Sequence, residues 1–290
     1  MYKKREINEK KRRFDFRFSK SLGQNFLTDG NIIKNILDAS LIGEEDLVIE
    51  IGPGMGAITE ELVAGAKKVV AVELDSNLIP ILQEIFAEAS NLKLIHSDIL
   101  KLDLARIIEE GKKELQKGEE FKAVRVVGNL PYYITTPIIM HILERSLEID
   151  SITVMMQKEV AERIEAPPGG KNRGAISVAV QYYGNVEKIC TVPKEVFYPV
   201  PKVDSAVLRI DLKKNLPMND EERKIMFSVI KAGFGQRRKT LMNSLSGGLG
   251  LPKTIIEAVL KEVGIDKRRR AETLTIREFG NIAMKLKEMK

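Results

Sequence analysis

Short apolar runs punctuate the first half of the chain, and after each one the apolar residues recur every three or four positions. The runs predict strands over residues 47–51, 69–73, 92–96, 123–127 and 152–156. The longer period predicts helices over 57–66, 78–89, 105–117 and 136–145. Strand and helix alternating at this spacing make an α/β fold: a Rossmann-like, mostly parallel sheet with helices on both faces. The pattern then changes. Residues 175–190 and 203–212 read as extended, joined by a proline-rich bend from Pro193 to Pro201, which predicts a closing antiparallel hairpin. Beyond 213–219 the period is helical again, over 221–233, 239–244, 254–263 and 276–287. The expected division is a short arm (1–20), a sheet domain (21–213) and a small helical domain (214–290).

In a parallel sheet, ligands bind beyond the carboxyl ends of the strands, so the residues after each strand come first in a search for chemistry. The first strand runs into Glu50-Ile51-Gly52-Pro53-Gly54-Met55-Gly56. Glycines let a ligand approach the backbone closely. The spacing is G-x-G-x-G, not the dinucleotide G-x-G-x-x-G, and the lysine of a phosphate-binding loop is missing. Such a loop suits a nucleoside cofactor without phosphate, and S-adenosylmethionine is one. Glu73 closes the second strand 21 residues after Gly52, where an acid can accept from ribose hydroxyls. Asp75 reads as a helix cap. Asp98, after the third strand, is placed to accept from an adenine amino group or to serve as a turn residue. The cofactor-binding candidates are thus Gly52, Gly54, Glu73 and Asp98.

The fourth strand ends in Val127-Gly128-Asn129-Leu130-Pro131-Tyr132-Tyr133. Pro131 lacks an N–H and pushes Leu130 toward an extended conformation, which keeps the Leu130 carbonyl out of a helix. The Asn129 side chain adds a second carbonyl oxygen. Two acceptors side by side match the two hydrogens of an exocyclic amine on a base. That amine is a poor nucleophile because its lone pair is conjugated with the ring. Drawing its hydrogens out of the ring plane frees the lone pair for attack. Tyr132 supplies a ring for the base to stack on. Catalysis then rests on alignment rather than on a general base, and the base must be unpaired or flipped out.

Charge brings in the partner. The net charge is +6, and the first 20 residues alone carry nine basic and three acidic side chains; the other 270 hold 38 of each. A basic, flexible arm of this kind neutralises phosphates and steers association with nucleic acid. The single cysteine, Cys190, excludes an internal disulfide, and two histidines, His96 and His141, give no basis for a metal site. No apolar run of membrane-spanning length is present, and no apolar segment follows the basic N-terminus as in a secretory signal. A cytoplasmic protein without membrane contact is the expectation.

These residues resemble the KsgA-type ribosomal RNA small-subunit adenine dimethyltransferases over nearly the whole chain. The resemblance begins at Ser21-Leu22-Gly23-Gln24-Asn25-Phe26-Leu27 and continues through Ile51–Gly54, Glu73-Leu74-Asp75, Ser97-Asp98-Ile99 and Asn129-Leu130-Pro131-Tyr132. It extends to Phe197-Tyr198-Pro199-Val200-Pro201-Lys202-Val203-Asp204-Ser205 and to Phe234-Gly235-Gln236-Arg237-Arg238-Lys239-Thr240-Leu241. It implies dimethylation of the N6 amine of two adjacent adenosines near the 3′ end of 16S RNA. The donor would be S-adenosylmethionine, the product S-adenosylhomocysteine, and the partner the RNA within a pre-30S particle, met by a monomer. By the resemblance Asn25 and Leu27 join the cofactor site, as does Asn129, and Phe197 packs on the target base opposite Tyr132. From the residues alone, 24–27 reads as a helix entry, and the alternative for Phe197 is a core residue in the bend. Lys231, Arg237, Arg238 and Lys239 are expected to meet RNA phosphates; Lys267-Arg268-Arg269-Arg270 is equally well a solvated face. The loop from Ala166 to Asn172 is unusually rich in proline and glycine for such a protein.

Three other readings share parts of the pattern. A macrolide-resistance methyltransferase acting on large-subunit RNA would use the same Asn-x-Pro-Tyr chemistry. A ribosome-assembly or transcription factor could keep the fold without catalysis. A DNA adenine methyltransferase usually carries Pro-Pro-Tyr, from which Leu130 departs.

Overall fold

The computed structural model describes Glu9, Arg13, Phe14 and residues 23–145, 148–236 and 238–289. Most of the expected arm, Ser21 and Leu22 of the opening motif, and Arg237 of the basic tail motif lie outside the described residues. The chain divides into two compact units, one of residues 1–161 with 185–214, the other of 162–184 with 215–290. The expected sheet domain of 21–213 therefore differs by the segment 162–184, which belongs to the second unit.

The first unit is built on a seven-stranded sheet. Its strands are β2 (Leu47–Ile51), β3 (Lys68–Glu73), β4 (Leu92–His96), β5 (Val124–Asn129), β6 (Ser151–Gln157), β7 (Gly184–Val192) and β9 (Ser205–Leu212), in the order β4-β3-β2-β5-β6-β9-β7. A two-stranded sheet pairs β1 (Phe26–Leu27) with β8 (Phe197–Tyr198). Strands β4 to β6 run parallel, and β9 joins antiparallel to β6. Every residue of β2 is buried, as a central parallel strand requires. The register sets Ile51 beside both Val72 and Gly128, Glu73 beside His96, and Asn129 beside Met155. The carboxyl ends of β2, β3, β4 and β5 thus lie level at one edge, where chain order reverses between β2 and β5.

Helix Gly30–Ser40 packs on β6 and β9, Thr59–Gly65 on β3, and Leu78–Ile85 on β4. The first starts where the Asp29 carboxylate accepts from the N–H groups of Asn31 and Ile32. The expected helix entry at 24–27 is instead the strand β1, and the helix begins three residues later. Phe26 and Leu27 are buried there and find their backbone partners in the 197–198 bend, a distant segment that local pattern cannot show.

The second unit holds the remaining correction. Residues 175–183, expected as extended, form the helix Ala175–Tyr183, and only the following Gly184–Val192 is strand. Ile176, Val178 and Val180 give a β-like composition, but the Ser177 hydroxyl accepts from the Gly174 N–H and starts a helix. The rings of Tyr182, Tyr183 and Phe227 then pack together, with Tyr183 and Phe227 stacked at 5.7 Å. Burial of that face outweighs the β-branched preference. Four further helices follow at Asp220–Gly235, Leu241–Leu249, Lys253–Glu262 and Ile276–Glu288. A short apolar run is ambiguous between strand and helix, and length is the weak discriminator that failed here.

Candidate active site

The level ends of β2, β3 and β5, together with β1, enclose a cavity. Gly23–Leu27, Gly52–Met55, Glu73, Leu74 and Asn129–Tyr133 all line it. Gly52, Gly54 and Gly56 take φ values of 71°, 60° and 81°, a region that side chains other than glycine rarely adopt. At Gly54 the reason is also spatial, since a Cβ there would stand 2.9 Å from the Phe26 ring. A Cβ on Gly52 would stand 3.6 Å from the Asn129 carbonyl oxygen. The glycine loop and the Asn129 strand end are therefore neighbours.

Glu73 is held by backbone donors. Its Oε1 accepts from Leu74 N–H at 2.8 Å and Asp75 N–H at 2.9 Å, and its Oε2 accepts from Gly54 N–H at 3.2 Å. Burial pushes its pKa up, opposed by those three bonds. Three of about four acceptor positions are used, which leaves room for a ligand hydroxyl. Beneath the loop, Glu50 is 1% exposed. Burial pushes its pKa up to about 8, the Thr59 hydroxyl opposing and the Glu73 charge adding to the rise. Asp75 does not cap a helix directly. It accepts from Asn77 N–H and Nδ2 and from Gln24 Nε2 at 2.6 Å, which ties β3 to the segment before β1.

Asn129 Nδ2 donates to the Asn25 carbonyl at 3.0 Å. Leu130 N–H donates to the Met155 carbonyl at 3.0 Å, while the turn bonds from Ile134 N–H and the Thr135 hydroxyl fall on the Pro131 carbonyl. Among the described residues no group donates to the Leu130 carbonyl, as the proline spacing leads one to expect. The Tyr132 hydroxyl bonds Ser205 Oγ at 2.6 Å, and burial raises the phenol pKa.

The structure thus brings nine of the expected residues to one cavity: Asn25, Leu27, Gly52, Gly54, Glu73, Asn129, Leu130, Pro131 and Tyr132. Two others stand elsewhere. Asp98 follows β4 beside this edge but does not line the cavity, and its carboxylate accepts from Leu100 N–H at 3.0 Å. Phe197 is 1% exposed and packs with Leu27, Ile33, Ile36 and Val207 in the core, so it presents no face to the cavity. Its register partner in β1 is Leu27, and alternation in the two-residue strand sends Phe197 inward. Of the expected phosphate-binding residues, Lys231, Arg238 and Lys239 are exposed in the second unit. Gln24, Met55, Tyr133 and Ser205 belong to the site without having been singled out. All four lie within the sequence motifs, and only the tertiary pairing reveals the partners of Gln24 and Ser205.

Among the described residues no Lys, Arg or His lines the cavity, and Glu73 is the one carboxylate. That donor set disfavours a ligand carrying phosphates and suits an uncharged nucleoside joined to a cationic centre.

The sequence profile described as "Ribosomal RNA adenine dimethylase" matches residues 15–288. "Ribosomal RNA small subunit methyltransferase A" of Alkaliphilus oremlandii (strain OhILAs) is 47% identical over 285 residues, covering 98% of this chain and 96% of that protein. The protein of the same name from Bacillus mycoides (strain KBAB4) is 49% identical over 275 residues, covering 93% and 92%. Among solved structures, a dimethyladenosine transferase from Plasmodium falciparum aligns with a TM-score of 0.76 at 23% identity, over 91% of this chain and 98% of that one. The 23S rRNA methyltransferase ErmE aligns with a TM-score of 0.67 at 24% identity, over 91% and 100%. At these identities the two structures speak for the fold.

Proposed function

This chain belongs to the ribosomal RNA adenine dimethylase family, and on that premise we propose that it dimethylates the N6 amine of two adjacent adenosines near the 3′ end of small-subunit (16S) ribosomal RNA. It does so as a monomer in the cytoplasm, on a pre-30S particle, as a step of subunit biogenesis. The fit of the cavity to S-adenosylmethionine rests on the glycine backbone and on Glu73, the one carboxylate among the described lining residues, which include no cation. Asn25, Leu27, Gly52, Gly54 and Glu73 would hold it, with Asp98 at the adjoining strand end. When bound it supplies an electrophilic methyl group and leaves as S-adenosylhomocysteine.

The observation that carries the reading is the bond from Asn129 Nδ2 to the Asn25 carbonyl. It commits the nitrogen of the amide and leaves the oxygen for the substrate. Asn129 Oδ1 and the Leu130 carbonyl then accept the two hydrogens of the adenine amine and draw them out of the ring plane. The nitrogen lone pair, no longer conjugated, forms the new N–C bond. The methylated amine is acidic and releases its proton to water, so no side chain is required as a base. Tyr132 stacks on the base, held by Ser205. Alignment of this kind can supply on the order of 7–11 kcal/mol of a barrier. In the second unit, Lys231, Arg238 and Lys239, with Arg237 by sequence, neutralise RNA phosphates.

The test is incubation with a labelled methyl donor and unmodified small or large subunits, followed by nucleoside analysis. N6,N6-dimethyladenosine in the small subunit is expected. Label confined to the large subunit, or binding without transfer, would overturn the proposal.

A further inference from the structure

One aromatic ring at the mouth of the cavity has no task in that scheme. Tyr133 lines the cavity beside Tyr132, yet it is 55% exposed, among the few large apolar side chains left open to solvent. Its Cδ1 and Cε1 lie 3.6 Å and 3.7 Å from the point where a Cβ on Gly23 would stand. Gly23 has φ of 61°, so one edge of the ring rests on bare backbone. The other aromatic groups nearby differ. The Tyr132 hydroxyl is tied to Ser205. Phe26 and Phe197 are buried, and Phe197 packs in the core.

Aromatic residues make up 6% of this chain, and tryptophan is absent. A ring left in water at the entrance to a base-binding cavity costs hydrophobic free energy unless a ligand covers it. When a base leaves the strand for such a cavity, its neighbour loses a stacking partner. A protein ring can replace that partner whatever the base, because every base has a π-face. We propose that Tyr133 is a second nucleobase-binding group, stacking on the unpaired base that adjoins, in the RNA strand, the adenosine seated in the cavity. This rests on the functional reading above.

The full-length chain is compared with Tyr133→Phe and Tyr133→Leu in two assays. In the first, methyl transfer to unmodified small subunits is followed together with cofactor affinity by calorimetry. Tyr133→Leu should raise the KM for subunits about tenfold, more than it weakens cofactor affinity, and Tyr133→Phe, which keeps the ring, should recover most of that loss. In the second, an oligoribonucleotide carries 2-aminopurine beside an adenosine. Its fluorescence should be quenched by the parent and by Tyr133→Phe but not by Tyr133→Leu. Quenching and KM that survive Tyr133→Leu overturn the proposal, as does a change confined to cofactor affinity. If the parent chain transfers no methyl group, the functional reading fails, while the quenching assay still decides whether Tyr133 stacks.

Discussion

The side-chain amide of Asn129 is held by a residue 104 positions earlier, through a 3.0 Å bond from Nδ2 to the backbone carbonyl of Asn25. A carbonyl can only accept, so this contact fixes which end of the amide faces Asn25. The end of β5 and the strand β1 are thereby locked in one arrangement around the cavity. Two motifs that look independent in the sequence act as a single device.

Replacing Asn129 should show this. Asn129→Ala removes one of the two proposed acceptors, and loss of a single such contact typically lowers turnover by about 10²- to 10³-fold. Asn129→Asp should do no better, because a carboxylate oxygen would then face the Asn25 carbonyl. Single-turnover methyl transfer measures the loss, and filter binding checks that RNA affinity holds. Turnover within tenfold of the parent for either variant would sink the assigned role.

Glu73 makes a prediction about binding rather than turnover. Its carboxylate already accepts three backbone bonds, so it is fixed before a ligand arrives. One charge-assisted bond from a ribose hydroxyl, at the acceptor position left free, is worth about 1.5–3 kcal/mol. Glu73→Ala should weaken cofactor affinity by roughly 10- to 100-fold, read by calorimetry. Glu73→Gln should fall between the two, since it keeps an acceptor. Unchanged affinity in Glu73→Ala, with a normal melting temperature, would remove Glu73 from the site.

How far the sequence reaches is clear from where it stopped. The parallel order and the ends of its strands were legible, because all-buried runs such as Leu47–Ile51 carry their own signature. The glycine loop, Glu73 and Asn129 could be read because each follows such a run directly. Phe197 could not be placed, since its burial depends on pairing with β1, 170 residues away in the chain. The helix at Ala175–Tyr183 was hidden by β-branched residues whose environment belongs to the second unit. The links Gln24–Asp75 and Tyr132–Ser205 are tertiary, and no local spacing encodes them.

The last of those links separates ring from hydroxyl. Ser205 is fully buried, and its partner in the site is the Tyr132 hydroxyl. Tyr132→Phe keeps the ring but leaves that buried Oγ with one bond fewer, a cost of about 1–3 kcal/mol in stability. Turnover should stay within a few-fold of the parent. Tyr132→Ala should lower it much further by removing the stacking surface, worth roughly 1–3 kcal/mol. Urea unfolding together with methyl transfer distinguishes the two effects. If Tyr132→Phe loses as much turnover as Tyr132→Ala, the hydroxyl rather than the ring carries the function.

Glu50 yields a prediction about pH. It is fully buried beneath the glycine loop, with Oε2 meeting no partner among the described residues, and its pKa is pushed up to about 8 from 4.5. Between those values the folded chain keeps a proton that the unfolded chain gives up. Folding is therefore increasingly disfavoured as pH rises through that window, by at most about 1.4 kcal/mol per pH unit from this group. Below it Glu50 is protonated in both states, and above it ionised in both, so the contribution levels off at either end. Glu73 is raised as well and steepens the same slope. Glu50→Gln keeps the shape and cannot ionise. Urea midpoints of the parent should fall between pH 5 and 8, while those of the variant should fall less. The two should meet at low pH and diverge at pH 8, with the variant the more stable. Parallel curves across that range would mean that Glu50 does not hold a proton in the folded chain.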